Sequence, residues 1–151
     1  MTVVLKPARM TDAGLVLAWR NDPAEWARSG TGRPVWPDEH LRWWHTHAMD
    51  ATRCRLWLLR VDDWLVGMIR FDRLDRAAVV SLYVAPAYRG QGIGRQAFEA
   101  AWAHRPVWAE TAVADVRRDN PDSEAFFRAL GFDTVSETPA MIRLGRPAHA
   151  A

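Results

Sequence analysis

The stretch LYVAPAYRGQGIGRQAF, Leu82 to Phe98, constrains this chain more than any other segment. An apolar, strand-prone run ends in a proline-led turn, passes Gly90, Gly92 and Gly94, and continues into a helical pattern. A helix N-terminus presents N–H groups that have no carbonyl partner, together with the positive end of the helix dipole. Glycines ahead of it let the backbone close on an anion without Cβ atoms in the way. The segment therefore predicts a strand–turn–helix unit built to hold a phosphate, with Arg89 adding fixed positive charge.

The rest of the chain sets the frame for that unit. With 151 residues, 49% of them hydrophobic and 25% charged, one domain around one core is expected. The expected boundaries are residues 1–145 for the domain and 146–151 for a disordered tail. No apolar run is long enough to span a bilayer, and the start lacks the basic flank and cleavage site of a secretory signal. Cys54 is the single cysteine, which excludes an internal disulfide and suits a reducing, cytoplasmic setting. It falls in a strand-like run and reads as a small core residue. A net charge of +2, with acids and bases interleaved, gives no footprint for nucleic acid. Most of the nine tryptophans read as core or rim.

Periodicity predicts a strand over Val3 to Lys6. Thr11 or Asp12 caps a helix burying Leu15, Val16 and Trp19, which stops near Asp22-Pro23. Ser29 to Pro37 reads as a loop. Asp38 caps a second helix, with Leu41, Trp44 and Ala48 on one stripe and His40, Trp43 and His47 on the next. Arg55–Val61 and Trp64–Asp72 form a hairpin about Asp62-Asp63, and Val66, Met68, Arg70 and Asp72 share one strand face. Strands follow over Ala78–Val84 and Val107–Val116, helices over Gly92–Ala103 and Pro121–Leu130, and two closing strands over Asp133–Leu144. This order predicts a mixed α/β (α+β) fold with a largely antiparallel sheet flanked by helices.

Three anion-binding uses of the glycine turn compete. A Walker-type loop ends in Gly-Lys-Ser/Thr, and Gly94-Arg95-Gln96 does not. A dinucleotide fold needs G-x-G-x-x-G/A, and Gly92, Gly94 and Ala97 supply the letters, with Asp115 at about the ribose-binding distance. Pro86 to Arg89 interrupt the tight turn which that fold requires, and the remaining chain is short for a doubly wound sheet. The third use is the pyrophosphate of coenzyme A. Here the chain resembles the GNAT superfamily of acyl-CoA-dependent N-acetyltransferases. Its Q/R-x-x-G-x-G/A signature after a hydrophobic-Val-x-Pro strand end is matched by Arg89, Gly92 and Gly94 following LYVAP. A second block, ADVRRDNPDSEAFFRALGF, resembles the family's later strand–loop–helix segment, with Asn120, Ser123, Gly131 and Phe132 in register. The resemblance covers roughly Val3 to Leu144.

The resemblance implies acetyl-CoA as acyl donor and no metal. Backbone groups of Leu82, Tyr83 and Val84 would pair with the pantetheine arm. Amides of Arg89, Gly90, Gln91, Gly92, Ile93, Gly94 and Arg95 would take the pyrophosphate, and an N–H near Leu82 or Tyr83 would polarise the thioester oxygen. Asn120 would flank the cofactor, although Asn120-Pro121 alone reads as a helix start. Attack by a neutral amine needs a proton acceptor, for which Asp72, Asp75, Glu110 and Asp115 are candidates. Asp72 shares a face with Arg70, so a surface ion pair is the competing reading. Asp115 holds the family's frequent acid position. Many members carry a tyrosine seven residues beyond the asparagine to protonate the departing sulfur. Here Phe127 stands there and is placed with the cofactor-binding set. Ser81, Tyr83, Tyr88 or Ser123 are the substitutes, and a thiol pKa near ~8.5 makes the acid helpful without being indispensable.

For the acceptor, LAWRNDPAEWARSG, DEHLRWW and VGMIRFD resemble the branch that acetylates amino groups on nucleotide-linked deoxysugars, as in pseudaminic-acid pathways. That match puts Arg20, Asn21, His40, Trp43 and Arg70, with Asp72, on the acceptor side. His40, His45 and His47 lack the facing pair and the completing ligand of a metal site. The expected partner is a small-molecule amine, a nucleotide sugar being the first candidate, with no membrane partner, and the protein a monomer or homodimer. The alternatives are acetylation of protein N-termini or other small amines, and a non-catalytic acyl-CoA-binding module.

Overall fold

Seven strands hydrogen-bond in the order β1-β2-β3-β4-β5-β7-β6 in the computed structural model, which describes residues 1–28 and 32–147. The strands are β1 (Val3–Pro7), β2 (Cys54–Val61), β3 (Trp64–Leu74), β4 (Ala77–Val84), β5 (Thr111–Arg117), β6 (Asp133–Glu137) and β7 (Met141–Pro147). The helices are α1 (Ala13–Arg20), α2 (Pro23–Arg28), α3 (Pro37–Trp43), α4 (Ile93–Ala103) and α5 (Pro121–Ala129). The sheet is mostly antiparallel, with β4–β5 as a parallel pair, which is the α+β class expected from the sequence. By its contacts the chain divides into two compact units, residues 1–70 with 82–104, and 71–81 with 105–147.

In the first unit β1 pairs antiparallel with β2, from Val3↔Val61 to Pro7↔Trp57. Leu56, Trp57, Leu58 and Leu59 are consecutive and all buried, so both faces of β2 are covered. Ala13 and Val16 of α1 pack with Trp44, Ala48, Cys54, Leu56, Leu58, Met68 and Tyr83 in one apolar cluster. Cys54 is a core residue, as its context predicts. On α4 the buried positions Ile93, Ala97, Phe98, Ala101 and Trp102 follow the helical repeat, and Phe98 stacks on Trp102 at 6.0 Å. Gln96 fastens this helix to the start of the chain, accepting from Val3 N at 3.1 Å and donating to the Met1 carbonyl at 2.9 Å.

Three local expectations are corrected here. Pro23 does not merely stop α1; it opens α2, because a proline suits the first helical position, where no N–H partner exists. Asp38 lies inside the first turn of α3, whose N-cap is Trp36, for the same reason at Pro37. Beyond Trp43 the helix widens into a π turn, Trp44–Ala48, closed by the Met49 N–H on the Trp44 carbonyl at 3.1 Å. Trp44 and Ala48 are buried as expected, whereas Leu41 is 46% exposed and off their stripe.

In the second unit β5 pairs antiparallel with β7 over its whole length, and β6 pairs with the other edge of β7. Ala112, Ala114 and Val116 of β5 are buried, as are Phe127, Leu130 and Phe132 around α5 and Ile142 and Leu144 of β7. Val107, assigned to a strand from sequence, is fully exposed in a turn, and β5 begins at Thr111. The register of β4 with β5 comprises Ala77↔Thr111, Ala78↔Ala112 and Val79↔Val113. β7 runs to Pro147, so Arg146 and Pro147 belong to the sheet and not to a tail; Arg146 is held there by the Leu130 carbonyl at 3.1 Å. Residues 29–31, within the expected loop, and 148–151, within the expected tail, lie outside the described residues.

Candidate active site

Gly92 is the N-cap of α4 and sits at φ 79°, in the left-handed region that a side chain strains to adopt. Gly90 shares that conformation at φ 76°. Nothing lies within 4 Å of where a Cβ would stand on either residue, so the turn is open on that side. No side chain caps α4, and its ladder starts with Gln96 N–H on the Gly92 carbonyl at 3.2 Å. The amides of Ile93, Gly94 and Arg95 therefore point beyond the helix with no carbonyl below them. Open glycine backbone, three first-turn amides and the dipole end together suit an anionic group such as a phosphate.

Arg89 is placed differently from expectation. Its Nε donates to the Val84 carbonyl at 2.7 Å and its Nη2 to Glu25 Oε1 at 3.0 Å. The guanidinium also lies 5.6 Å from the centre of the Tyr83 ring. It braces the strand end against α2 while remaining a cation beside the turn. Tyr83 is buried, tilted against Trp19 at 5.6 Å, and donates its hydroxyl to Asp22 Oδ2 at 3.4 Å. Burial, then the charges of Asp22 and Glu25, push its phenol above the ordinary value. The hydroxyl of Tyr83 is thus engaged by Asp22.

The strand preceding the turn is seated by a glycine that sequence reading passed over. Gly67 of β3 faces β4 so closely that a Cβ there would stand 3.0 Å from the Tyr83 carbonyl carbon and 3.1 Å from Val84 Cα. The Ala85 N–H donates to the Val66 carbonyl at 2.7 Å beside it. A lone glycine inside a strand pattern is the signal that could have found this approach.

On the predicted acceptor side, the residues separate into two groups. Arg20, Trp43 and Arg70 come together, with the Arg20 guanidinium 4.6 Å and the Arg70 guanidinium 5.0 Å from the Trp43 ring centre. All three are half-buried. His47 stacks on the same indole at 5.9 Å. His40 meets this cluster from inside the core, and Asn21 is bonded elsewhere. Asn21 spends its amide on the Val35 backbone, accepting at 2.7 Å and donating at 2.9 Å, and so pins the chain ahead of α3. His40 is fully buried, with Nδ1 3.1 Å from Arg20 Nη1 and Nε2 2.8 Å from the Ala13 carbonyl. Burial, opposed by the Ala13 bond and helped by the Arg20 charge, lowers its pKa below 6.5.

The second unit holds the remaining candidates. Asn120 caps α5 by accepting from Ser123 N at 3.3 Å, the local role its sequence also allowed. Asp115 is exposed, with both oxygens accepting from Arg143 across β5–β7 at 2.7 and 2.9 Å. Phe127 is buried, edge-on to Phe126 and Phe132 at 5.1 Å each, and packs as a core ring. Glu110 is exposed and pairs with Arg76 at 3.9 Å, and Asp75 is exposed at a turn with φ 55°. Asp72 and Ser81 are half-buried on β3 and β4.

A family model, described as the acetyltransferase (GNAT) family, matches residues 16–132. No curated protein matches the chain. Among solved structures it is similar to an acetyltransferase from Thermus thermophilus, with 28% identity, TM-score 0.81 and 97% of each chain covered. It is also similar to the spermidine N-acetyltransferase from Vibrio cholerae, solved with CoA and spermine, with 16% identity and TM-score 0.82 over 97% of this chain and 96% of that one. A third is yncA from Salmonella typhimurium with its cofactor acetyl-CoA, at 19% identity and TM-score 0.80 over 100% and 98% of the two chains. The last two likenesses speak for the fold.

Proposed function

We propose, from the premise that this chain belongs to the acetyltransferase (GNAT) family and is an acyl-CoA-dependent N-acetyltransferase, that its acceptor is an amine on a nucleotide-linked sugar. Acetyl-CoA supplies the acetyl group as an activated thioester. The chain supplies the rest. Amides of Ile93, Gly94 and Arg95, with the open backbone at Gly90 and Gly92, bind the pyrophosphate. Backbone groups of Leu82, Tyr83 and Val84, beyond the last β4–β5 register pair at Val79, align the pantetheine arm. An N–H of that strand end polarises the carbonyl oxygen. Asp72, half-buried and two residues past Arg70 on β3, takes the proton from the attacking amine, directly or through water. Ser81 is the candidate donor to the leaving thiolate.

The observation that carries the acceptor reading is the convergence of Arg20 and Arg70 on Trp43. Two guanidinium groups gathered on one indole offer fixed positive charge for a diphosphate, the part of a nucleotide sugar that most needs it. The same charges oppose a polyamine. The test is thiol release from acetyl-CoA with UDP-glucosamine, spermidine and a short unblocked peptide as acceptors. The expected result is turnover with the nucleotide sugar and little with spermidine. Preference for spermidine or for the peptide overturns the reading.

A further inference from the structure

We propose that His40 is a positioning residue for the acceptor site: from inside the core it fixes the Arg20 guanidinium over the Trp43 indole. The inference rests on the acceptor reading above. Its geometry leaves one arrangement of protons. An arginine Nη only donates, so Nδ1 of His40 presents its lone pair to Arg20 at 3.1 Å. A carbonyl only accepts, so Nε2 carries the hydrogen and donates to Ala13 at 2.8 Å. The ring is therefore neutral and anchored at both nitrogens, to the first and the last residue of α1. It is further wedged against Trp43 at 5.8 Å and Trp44 at 5.7 Å. Arg20 lies 4.6 Å from the Trp43 ring centre, so one histidine sets the position of both the cation and the indole that it faces.

A second proton on His40 removes this arrangement. Nδ1 would then carry a hydrogen toward Arg20, replacing an acceptor with a donor and placing two cations together. The charged group facing His40 is Arg20 from α1; around the ring also stand the Ala13 carbonyl, Trp43 and Trp44. Around Trp43 itself stand Arg70 from β3 and His47 from the π turn. Acidification therefore releases Arg20 and weakens binding of an anionic acceptor, while the cofactor turn at Gly92 is untouched.

The experiment compares wild type with His40→Gln, which keeps one donor and one acceptor without a titration, and with His40→Phe, which keeps the ring and loses both. Acceptor KM is measured with UDP-glucosamine, and UDP binding is followed by calorimetry from pH 7.5 to 5. Loss of one charge-assisted bond corresponds to roughly a tenfold rise in KM for His40→Phe, with kcat and CoA affinity unchanged. His40→Gln is expected to stay within about threefold of wild type, since the bond is kept. Any acid-side fall in UDP affinity is expected to be no smaller in wild type than in His40→Gln, which has no second proton to take up. Arg20→Gln separates the two claims. If KM is unchanged in Arg20→Gln, the acceptor reading falls and this role with it. If KM rises in Arg20→Gln but not in His40→Phe, the positioning role alone is overturned. Should His40→Phe not fold, His40→Leu takes its place, and an acceptor KM equal to that of His40→Gln overturns the proposal equally well.

Discussion

Replacing Gly67 with alanine tests whether the end of β4 is where acyl transfer is aligned. The new methyl would meet backbone alone, 3.0 Å from the Tyr83 carbonyl carbon and 3.1 Å from Val84 Cα, against ordinary contact from 3.4 Å. The Tyr83 carbonyl must retreat by at least 0.4 Å, the difference between 3.4 and 3.0, and its oxygen lies nearer to the methyl still. Side-chain adjustment cannot absorb that shift, because both atoms are main chain on a paired strand. Overpacking of this kind costs about 1–3 kcal/mol of stability. Catalytic geometry tolerates displacements of only about 0.5 Å, and a 1 Å error costs about 100-fold in rate. The expected outcome is a folded variant with kcat reduced about 10- to 100-fold and a urea midpoint lowered in proportion to that strain. CoA binding, measured by calorimetry, should weaken less than kcat, because the pyrophosphate turn at Gly92 is not displaced. Wild-type kcat together with an unchanged urea midpoint would refute the argument, since the strand would have moved freely.

Other perturbations probe separate parts of the site. Gly92→Val meets no neighbour within 4 Å but forces a branched residue to φ 79°, so CoA affinity should fall at least about tenfold with native circular dichroism retained; unchanged affinity would move the anion site elsewhere. Asn21→Ala strips two bonds from the Val35 backbone and should lower stability by about 1–3 kcal/mol while leaving acceptor KM near wild type. If KM rises sharply with stability intact, Asn21 contacts the acceptor after all. The lowered pKa of His40 predicts an acid limb in stability. The unfolded chain takes up the proton near pH 6.5 and the folded chain only at lower pH, so stability present above 6.5 is lost as pH falls through that window. Urea midpoints between pH 7.5 and 5 should show a steeper loss for wild type than for His40→Gln; equal slopes would contradict a buried neutral ring.

The glycine turn, the hairpin and the helix that follows were legible because each rests on local chemistry: positive-φ glycines, alternation, and an apolar repeat at helical spacing. The cluster of Arg20, Trp43 and Arg70 was legible only through resemblance, since nothing in their spacing brings residues 20, 43 and 70 together. What escaped was decided by tertiary partners. Arg89 was expected to add fixed charge at the turn, and its partners, Glu25 and the Val84 carbonyl, come from elements that its local sequence does not name. Phe127 stood at the tyrosine position of the motif, yet Phe126 and Phe132 close around it as core. Asp115 kept the family's acid position but faces Arg143 on the neighbouring strand. His40 shares a helical stripe with Trp43 and His47, and the stripe alone does not reveal that one member turns inward to hold a cation.

The π turn after Trp43 amounts to one residue inserted into a helix. An insertion advances everything behind it by about 100° of helical rotation. Trp43, ahead of it, keeps its orientation toward the arginines, whereas Ala48 and Met49 reach β2 in a phase that an unbroken helix would not give them. Lineages with and without this extra residue should differ in how the segment aligns, by a one-residue gap between the tryptophan pair and the start of the next strand. That gap offers a sequence-level marker for relatives that inherited the same aromatic platform, and trimming exposed His45 or Thr46 would ask whether the platform outlives the insertion that accompanies it.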